Sequence, residues 1–248
     1  MKIATWNVNG IRARSAQLLA WAEAERPDVL CLQEIKATPA QVPAEICALP
    51  GYRCSWHGER AYSGVALLVR EEAIPSPPPP IHPEFDHDCR VIAVELPVAT
   101  VMSVYVPNGG KDLQEKMRFL EAMVAHAADM RAAGRPLVVC GDLNVAHRDM
   151  DVHPKERKPN VVGQLAEERA LFDQLLAQGL VDVARALHPD DDNLFTWWAP
   201  WRNLRQRNIG WRIDYILASA DLASRARNFV SQREVGTSDH APVVAVFD

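Results

Sequence analysis

Residues 136–144 read Pro-Leu-Val-Val-Cys-Gly-Asp-Leu-Asn, and no other stretch narrows the choice of fold so far. Residues 137–140 are an unbroken apolar run, the pattern of a strand covered on both faces. Gly141 then lets the backbone turn or lets a neighbour approach closely. Asp142 and Asn144 follow at once, and in extended chain residues two apart point the same way. A carboxylate and an amide would project together from the end of a rigid strand, a good foundation for a preorganised site. The plainer alternative is a strand leaving the core through a polar Asx turn.

A strand buried on both faces needs layers on either side, and the chain supplies them. Residues 2–8, 28–33, 64–70 and 243–247 read as further apolar strands, and 11–25 as a helix with Leu18, Leu19 and Ala22 inward. Residues 39–50 hold a short helix with flanking turns. Four consecutive prolines in 76–80 impose an exposed extended loop. Residues 91–96 and 100–106 are strands joined by only three residues, which demands an antiparallel hairpin and excludes a purely parallel doubly wound sheet. Leu113, Met117, Leu120, Val124 and Ala127 mark an amphipathic helix over 111–133. Residues 147–162 are irregular, and 164–178 form a helix packing through Phe172, Leu175 and Leu176. Residues 193–198 and 211–217 are expected strands around a basic loop, 199–210. Interleaved strands and helices without a repeat indicate one α/β domain, 1–248, with mixed sheets covered by helices.

Composition excludes little but steers the rest. Apolar residues make up 48%, and the net charge of −5 rules out a global basic field, so nucleic-acid contacts must come from local patches. The five cysteines are odd in number and contain no C-x-x-C, as expected of reduced thiols in a cytoplasmic protein. The N-terminus has a strand pattern rather than a signal peptide, and no apolar run is long enough to span a membrane.

Polar residues recur where the strands end: Asn7, Glu34, Asn108, Asp142, Asn144, Asp214 and the Asp239-His240 pair. Brought to one edge, they would make a pocket of hard oxygen ligands with one titratable base. Oxygen donors without a Cys or His cluster favour magnesium or manganese over zinc. That donor set suits phosphoryl chemistry, where catalysis is mostly positioning and charge neutralisation.

These stretches resemble the exonuclease III family of AP endonucleases, within the endonuclease/exonuclease/phosphatase superfamily. The resemblance is carried by Thr5-Trp6-Asn7-Val8-Asn9-Gly10-Ile11-Arg12, Leu32-Gln33-Glu34-Ile35-Lys36, Ser63-Gly64-Val65-Ala66-Leu67-Leu68, Tyr105-Val106-Pro107-Asn108, Gly141-Asp142-Leu143-Asn144, Gly210-Trp211-Arg212-Ile213-Asp214-Tyr215 and Ser238-Asp239-His240-Ala241-Pro242, in the family's order. Asn208-Ile209-Gly210-Trp211-Arg212 is the most specific to abasic-site enzymes. The resemblance implies a four-layer α/β sandwich, DNase I-like, with two central mixed β-sheets flanked by helices.

It also implies roles. The catalytic set would be Tyr105, Asp142, Asn144, Asp214 and His240. Asp142 would orient and deprotonate a water, Asn144 would donate to a phosphate oxygen, His240 would face the scissile phosphate, and Asp214 would fix the His240 tautomer. Tyr105 would bond the phosphate or the leaving group. Which of Asp142, Tyr105 and His240 takes the proton stays open. Magnesium, with manganese as a substitute, would sit on Glu34 with Asn7, Asp142, Asn144 and Asp239 nearby. Substrate would meet Arg12, Lys36, Tyr62, Asn108, Lys111, Trp197, Trp201, Asn203, Asn208, Trp211 and Ile213. Trp197, Trp211 and Ile213 would line a pocket for a baseless sugar, and Trp201 would insert into the duplex. Arg202, Arg205, Arg207 and Arg212, interleaved with tryptophans, suggest phosphate pairing. The implied partner of this monomer is double-stranded DNA with abasic sites or blocked 3′ ends, cut 5′ to the lesion in base-excision repair. An RNA nuclease, an inositol or lipid phosphatase and a non-catalytic DNA-binding protein are the competing readings.

Overall fold

The computed structural model describes residues 1–248. In chain order its elements are β1 (Lys2–Asn7), α1 (Ile11–Glu25), β2 (Val29–Gln33), α2 (Ala44–Cys47), β3 (Tyr52–His57), β4 (Val65–Arg70), β5 (Val91–Glu95), β6 (Thr100–Tyr105), α3 (Leu113–Ala132), β7 (Leu137–Asp142), α4 (Ala166–Ala177), β8 (Leu180–Asp182), α5 (Val183–Leu187), β9 (Asp214–Ser219), α6 (Ala220–Ala223), β10 (Ala226–Ser231) and β11 (Val243–Phe247). A six-stranded sheet runs β10-β11-β1-β2-β4-β3, and a five-stranded sheet runs β5-β6-β7-β9-β8. Both are mixed. β1 with β2 and β6 with β7 are the parallel pairs, and the remaining neighbours are antiparallel.

The sheets face each other, and side-chain alternation shows why their strands read as continuous apolar runs. Ile3, Val29, Cys31, Val65 and Leu67 point between the sheets, against Val101, Val138, Cys140 and Ile216. Their neighbours Ala4, Trp6, Leu30, Leu32 and Leu68 pack outward under α1 and α2. On the other side Met102, Val104 and Val139 pack under α3 and α4. Three apolar interfaces separate four layers, as expected. Each buried aliphatic side chain contributes about 1.5–3 kcal/mol. All five cysteines are free thiols, with Cys47 and Cys54 only half-buried. No helix is long and apolar enough to cross a membrane.

At one end the inter-sheet core turns polar. Thr5 Oγ1 donates to Gln33 Oε1 (3.1 Å), Gln33 Nε2 to Ser103 Oγ (3.0 Å), and Ser103 Oγ to the Leu32 carbonyl (3.1 Å). All three side chains are fully buried. Their bonds cross from β1 and β2 to β6, and a satisfied buried network fixes geometry more sharply than apolar contact does. It therefore sets the spacing of the polar residues just beyond these strands.

Several elements differ from the sequence expectation. Residues 193–198 are not a strand: Trp197 makes only isolated bridges, to Trp211 and His240. There Thr196 Oγ1 accepts from the backbone N–H groups of both Ile213 and Asp214 (3.1 Å each), so a side chain replaces the ladder. β9 accordingly starts at Asp214 instead of Trp211. β3, β8 and β10 were not expected. β3 is a half-buried edge strand, β8 has three residues, and a register shift between Ala226 and Asn228 disrupts the alternation of β10. Residues 39–50 do hold the expected short helix, the single turn of α2, preceded by a 3₁₀ turn, Pro39–Gln41. In α1 Trp21 is buried along with Leu18 and Ala22, while Leu19 stays at the margin. In α3 the buried stripe is Lys116, Phe119, Leu120, Met123, Ala127 and Met130, rotated from the expected one and enclosing a lysine. In α4 Leu171 rather than Leu176 lies fully inside.

Candidate active site

Register explains the convergence. Tyr105 pairs with Asp142, Asp142 with Asp214, and Asn7 with Gln33, so both sheets present their polar strand ends at the same edge. Backbone detail then aims the side chains. Glu34 (φ 49°) and Lys36 (φ 50°) adopt left-handed conformations around fully buried Ile35. That costs of order 1 kcal/mol per residue and is held by the surrounding fold. The result is a Lys36 Nζ to Glu34 Oε2 contact of 2.6 Å at the mouth of the cleft. At Gly141 an added Cβ would lie 1.9 Å from the Val104 carbonyl oxygen, so only glycine allows β6 and β7 to meet there.

Asn144 also sits at positive φ, 51°, and its N–H donates to Asp142 Oδ1 (2.9 Å). The Asx turn and the projecting site are one structure rather than alternatives. Asn144 Nδ2 donates to the Val106 carbonyl (2.9 Å), and Asn108 Nδ2 donates to Asn144 Oδ1 (3.2 Å). Asn7 Nδ2 donates to both Glu34 Oε1 and Asp142 Oδ2, each at 2.9 Å, joining the two sheets' carboxylates. His240 Nδ1 lies 2.9 Å from Asp214 Oδ2, while its Nε2 points into the cleft 3.8 Å from Asp142 Oδ2. The loop carrying His240 is anchored by Ser238 Oγ donating to the Asn7 carbonyl (2.7 Å).

Glu34, Asp142 and His240 bring one ligand atom each within 4.8 Å of one another. The remaining expected metal ligands surround this group. The Asn7 side-chain oxygen Oδ1 accepts from the Asn9 N–H (3.0 Å). Asp239 accepts from Asn9 Nδ2 (2.8 Å) and Trp197 Nε1 (3.0 Å). Asn144 joins the group through its N–H bond to Asp142.

Electrostatics follow from burial among carboxylates. Burial raises the Asp142 carboxyl, with Asp214 and Glu34 adding to the rise against the pull of His240. Burial alone would discharge His240, but Asp214 and Asp142 outweigh it and raise the imidazole to about 10. Tyr105 is pushed well above an ordinary phenol by burial, then by the charges of Glu34 and Asp142. It stays a neutral donor. Glu34 is disfavoured by burial, yet the hydrogen bonds from Asn7 and Lys36 leave its carboxyl below the usual range.

These groups floor a cleft of about 250 Å³. Trp197 and Trp211, edge to face at 5.6 Å, form its apolar wall with Ile213 and Val162. Lys36, Asn108 and Tyr62 stand at or near the rim, while Arg12, Lys111, Asn203 and Trp201 are exposed. Asn208 is used differently: its amide accepts from Trp198 Nε1 (3.2 Å) and donates to the Asn193 carbonyl (3.0 Å), outside the cleft. Two of the four arginines expected to pair phosphates are likewise structural. Arg212 is fully buried, its Nε 2.7 Å from Asp151 Oδ1 and its Nη2 2.8 Å from Asp182 Oδ2. Arg205 bonds three backbone carbonyls. Only Arg202 and Arg207 remain exposed for phosphates.

Other supporting residues carry no strand-end signature. Asn9 links Lys36 to Asp239. Arg90 is buried, donates to Tyr62 Oη (2.9 Å) and lies 4.9 Å from the Tyr105 ring centroid. Lys116 Nζ donates to the Asn144 carbonyl (2.7 Å) and pairs with Glu168 (2.5 Å), both side chains fully buried. Glu168 also accepts from the Gly163 N–H (2.7 Å), where an added Cβ would lie 2.9 Å from the Trp211 ring. By residue type Lys116 reads as a surface lysine of an amphipathic helix, so nothing in the sequence signals this role.

The profile of the "Endonuclease/Exonuclease/phosphatase family" matches residues 4–240. Zebrafish "DNA repair nuclease APEX1" is 39% identical over 256 residues, covering 98% of this chain and 81% of that protein. The Bacillus subtilis "Exodeoxyribonuclease" is 33% identical over 255 residues, covering all of both chains. Among solved structures, the 3′ phosphatase NExo from Neisseria, bound to product DNA hairpin, superposes with a TM-score of 0.90 at 32% identity, covering 100% of this chain and 99% of that one.

Proposed function

The chain belongs to the endonuclease/exonuclease/phosphatase family and is a hydrolase of the DNA-repair nuclease kind; from that premise we propose a magnesium-dependent phosphodiesterase. It would cut double-stranded DNA 5′ to abasic sites, with 3′-5′ exonuclease or 3′-repair activity besides, as a cytoplasmic monomer. The observation that carries this reading is the two-sided cleft. Glu34, Asp142 and His240 form one side, and Trp197, Trp211 and Ile213 form the other. The charged side suits a phosphate. The apolar side, in about 250 Å³, suits a sugar without its base, being smaller than the ~300–1,000 Å³ typical of small-molecule pockets.

The residues fit a hard divalent cation. Two carboxylates are tied together by one amide, and burial raises Asp142 among its acidic neighbours, an arrangement that a positive charge would relieve. Glu34 and Asp142 would hold magnesium, with manganese as a substitute. When bound, such an ion supplies neutralisation of phosphate charge and a lowered pKa for bound water.

The protein's own groups then have distinct tasks. Asp142, steered by Asn7 and the Asn144 N–H, orients a water and accepts its proton as the new O–P bond forms. His240, charged through Asp214, faces the phosphate with Nε2 and stabilises its growing negative charge. Tyr105 remains a neutral phenol and donates to the phosphate or to the departing 3′ oxygen. Asn108 and Asn144 complete the polar wall. A gel assay tests this with an abasic duplex, a recessed-end duplex and a single-stranded RNA, each in magnesium or EDTA. Cleavage at the abasic site in magnesium alone is expected. Cleavage in EDTA, or RNA cut in preference to abasic DNA, would overturn it.

A further inference from the structure

A second group of ligand-bearing side chains lies outside the cleft. His57 ends edge strand β3, and His82 and Asp86 lie on the segment entering β5. One ligand atom from each falls within 4.8 Å of the others. His57 Nε2 is 2.5 Å from Asp86 Oδ2, and the two imidazole rings lie 4.2 Å apart between centroids, tilted by 48°.

We propose that His57, His82 and Asp86 form a second cation site, suited to zinc and its transition-metal neighbours rather than magnesium, which clamps the 81–91 segment to β3.

The donor chemistry supports the assignment. Two imidazoles and a carboxylate suit zinc, nickel or copper, whereas magnesium prefers all-oxygen donors of the kind in the cleft. The two sites would therefore sort their ions by ligand type. Asp86 is already oriented: its Oδ1 accepts from the Arg90 and Val91 N–H groups (2.7 and 2.8 Å), leaving Oδ2 toward the imidazoles. Hydrogen bonds of that kind orient metal-binding carboxylates. The backbone beside His82 is equally fixed, because Ile81 and Ala93 exchange two hydrogen bonds (2.8 and 2.9 Å). A simple ion pair needs one imidazole, yet two lie ring against ring beside one carboxylate oxygen. In tetrahedral coordination with bonds of ~2.0–2.1 Å, donor atoms lie about 3.3 Å apart. The His57–Asp86 contact would open by under ~1 Å and His82 would close in. His82 is exposed, so the fourth position faces water.

The site would serve structure more than chemistry. Asp86 grips the Arg90 backbone, and the Arg90 side chain supports Tyr62 and Tyr105 in the cleft. An ion bridging β3 to this segment would hold that platform from behind without touching substrate.

The test uses full-length protein stripped with EDTA and titrated with Co2+ or Zn2+ in excess Mg2+, comparing wild type, His82→Ala and Glu34→Gln. His82→Ala removes an exposed ligand with little risk to the fold, and Glu34→Gln separates this site from the cleft. Wild type and Glu34→Gln are expected to bind one ion tightly and melt at higher temperature with Zn2+. His82→Ala should bind it more than ~100-fold more weakly, at least the cost of losing a ligand's hydrogen-bond partner, and gain no melting temperature. The Co2+ spectrum should show no sulfur-to-metal charge transfer. The proposal is overturned if wild type does not bind, if His82→Ala binds equally well, if Glu34→Gln loses the ion, or if thiolate bands place it on a cysteine.

Discussion

Arg205 donates through Nη1 to the carbonyl oxygen of Ser238, the residue immediately before Asp239 and His240. Its Nε and Nη2 donate to the Arg233 and Val235 carbonyls, each at 2.7 Å, and its guanidinium lies 5.2 Å from the Trp198 ring centroid. A side chain that sequence pattern assigns to DNA phosphates instead holds the loop that carries His240.

Arg205→Ala should therefore leave the salt dependence of DNA binding unchanged. It should cost roughly 2–4 kcal/mol of stability, since charge-assisted bonds to backbone are lost together. Turnover should fall about tenfold as the Asp239-His240 segment loosens, a loss of about 1.4 kcal/mol in transition-state stabilisation. Arg207→Ala is the control. That exposed side chain touches only the Arg202 carbonyl, at 3.5 Å. If it meets a phosphate, its loss should flatten the log–log salt slope by about 0.9. Binding isotherms from low to high salt distinguish the two.

Asp151 makes a prediction for acid stability. It is fully buried between Arg212 and Arg185, and although burial opposes its charge, the two guanidinium groups bring its carboxyl down to about 2. A depressed carboxylate stabilises the fold above its unfolded value and loses that contribution as pH falls through its folded one. The window is therefore about pH 4 to 2, and the shift corresponds to about 2 kcal/mol. Asp151→Asn should destabilise the protein by about 3–5 kcal/mol at neutral pH, because two buried cations lose their partner. Its denaturant midpoint should then vary less than wild type between pH 4 and 2. Parallel acid profiles would exclude this account of Asp151.

The contrast between Arg205, Arg212 and Asp142 shows what was legible in the chain. Apolar runs reported double-sided burial of β1, β2, β4, β6 and β7 because every residue in them meets a layer. Polar residues at their ends were conspicuous against that background. Edge strands such as β3 and the bulged β10 carry mixed faces and gave no such contrast. Supporting residues were hidden for a different reason. Arg90, Lys116 and Thr196 look like surface residues by type, and only long-range packing makes them internal. For the same reason charge alone could not separate an arginine serving a carbonyl from one available to a phosphate. Positive φ at Glu34 and Asn144, which sets the aim of both side chains, leaves no mark in residue type at Glu34 and a faint one at Asn144.

Asp214 supplies the largest favourable influence on the His240 charge, after burial, which opposes it. Asp214→Asn should lower the imidazole pKa. If the charged ring stabilises the phosphate, the alkaline limb of kcat should move to lower pH, and kcat at neutral pH should fall by 10²–10⁴, the usual span for a misplaced acid–base group. KM should change little, because no substrate contact is removed. A limb that stays in place while kcat falls would assign Asp214 to ring orientation alone.

Trp201 is 59% exposed, the most exposed large hydrophobic side chain in the molecule. Its backbone is held in place: the Trp201 main-chain N–H donates to the Ala199 carbonyl (2.8 Å), the Trp201 carbonyl accepts from the Leu204 N–H (3.2 Å), and Arg202 and Asn203 follow at φ 55° and 52°. The same depression is lined by Thr237, Ser238 and Asp239, so the ring stands beside the cleft. An indole held out in water at that place is suited to enter a duplex, where unstacking costs a few kcal/mol and an inserted ring offsets part of it. Stacking carries no charge, so Trp201→Ala should keep the salt slope of wild type. It should weaken binding to an abasic duplex by about 1–3 kcal/mol, the usual worth of an aromatic stacked on a base. Intact duplex, which offers no gap to fill, should lose less. The measurement is affinity for both duplexes across a salt series, in wild type and variant. Equal losses on the two duplexes would remove the wedge and leave Trp201 as a general contact to DNA.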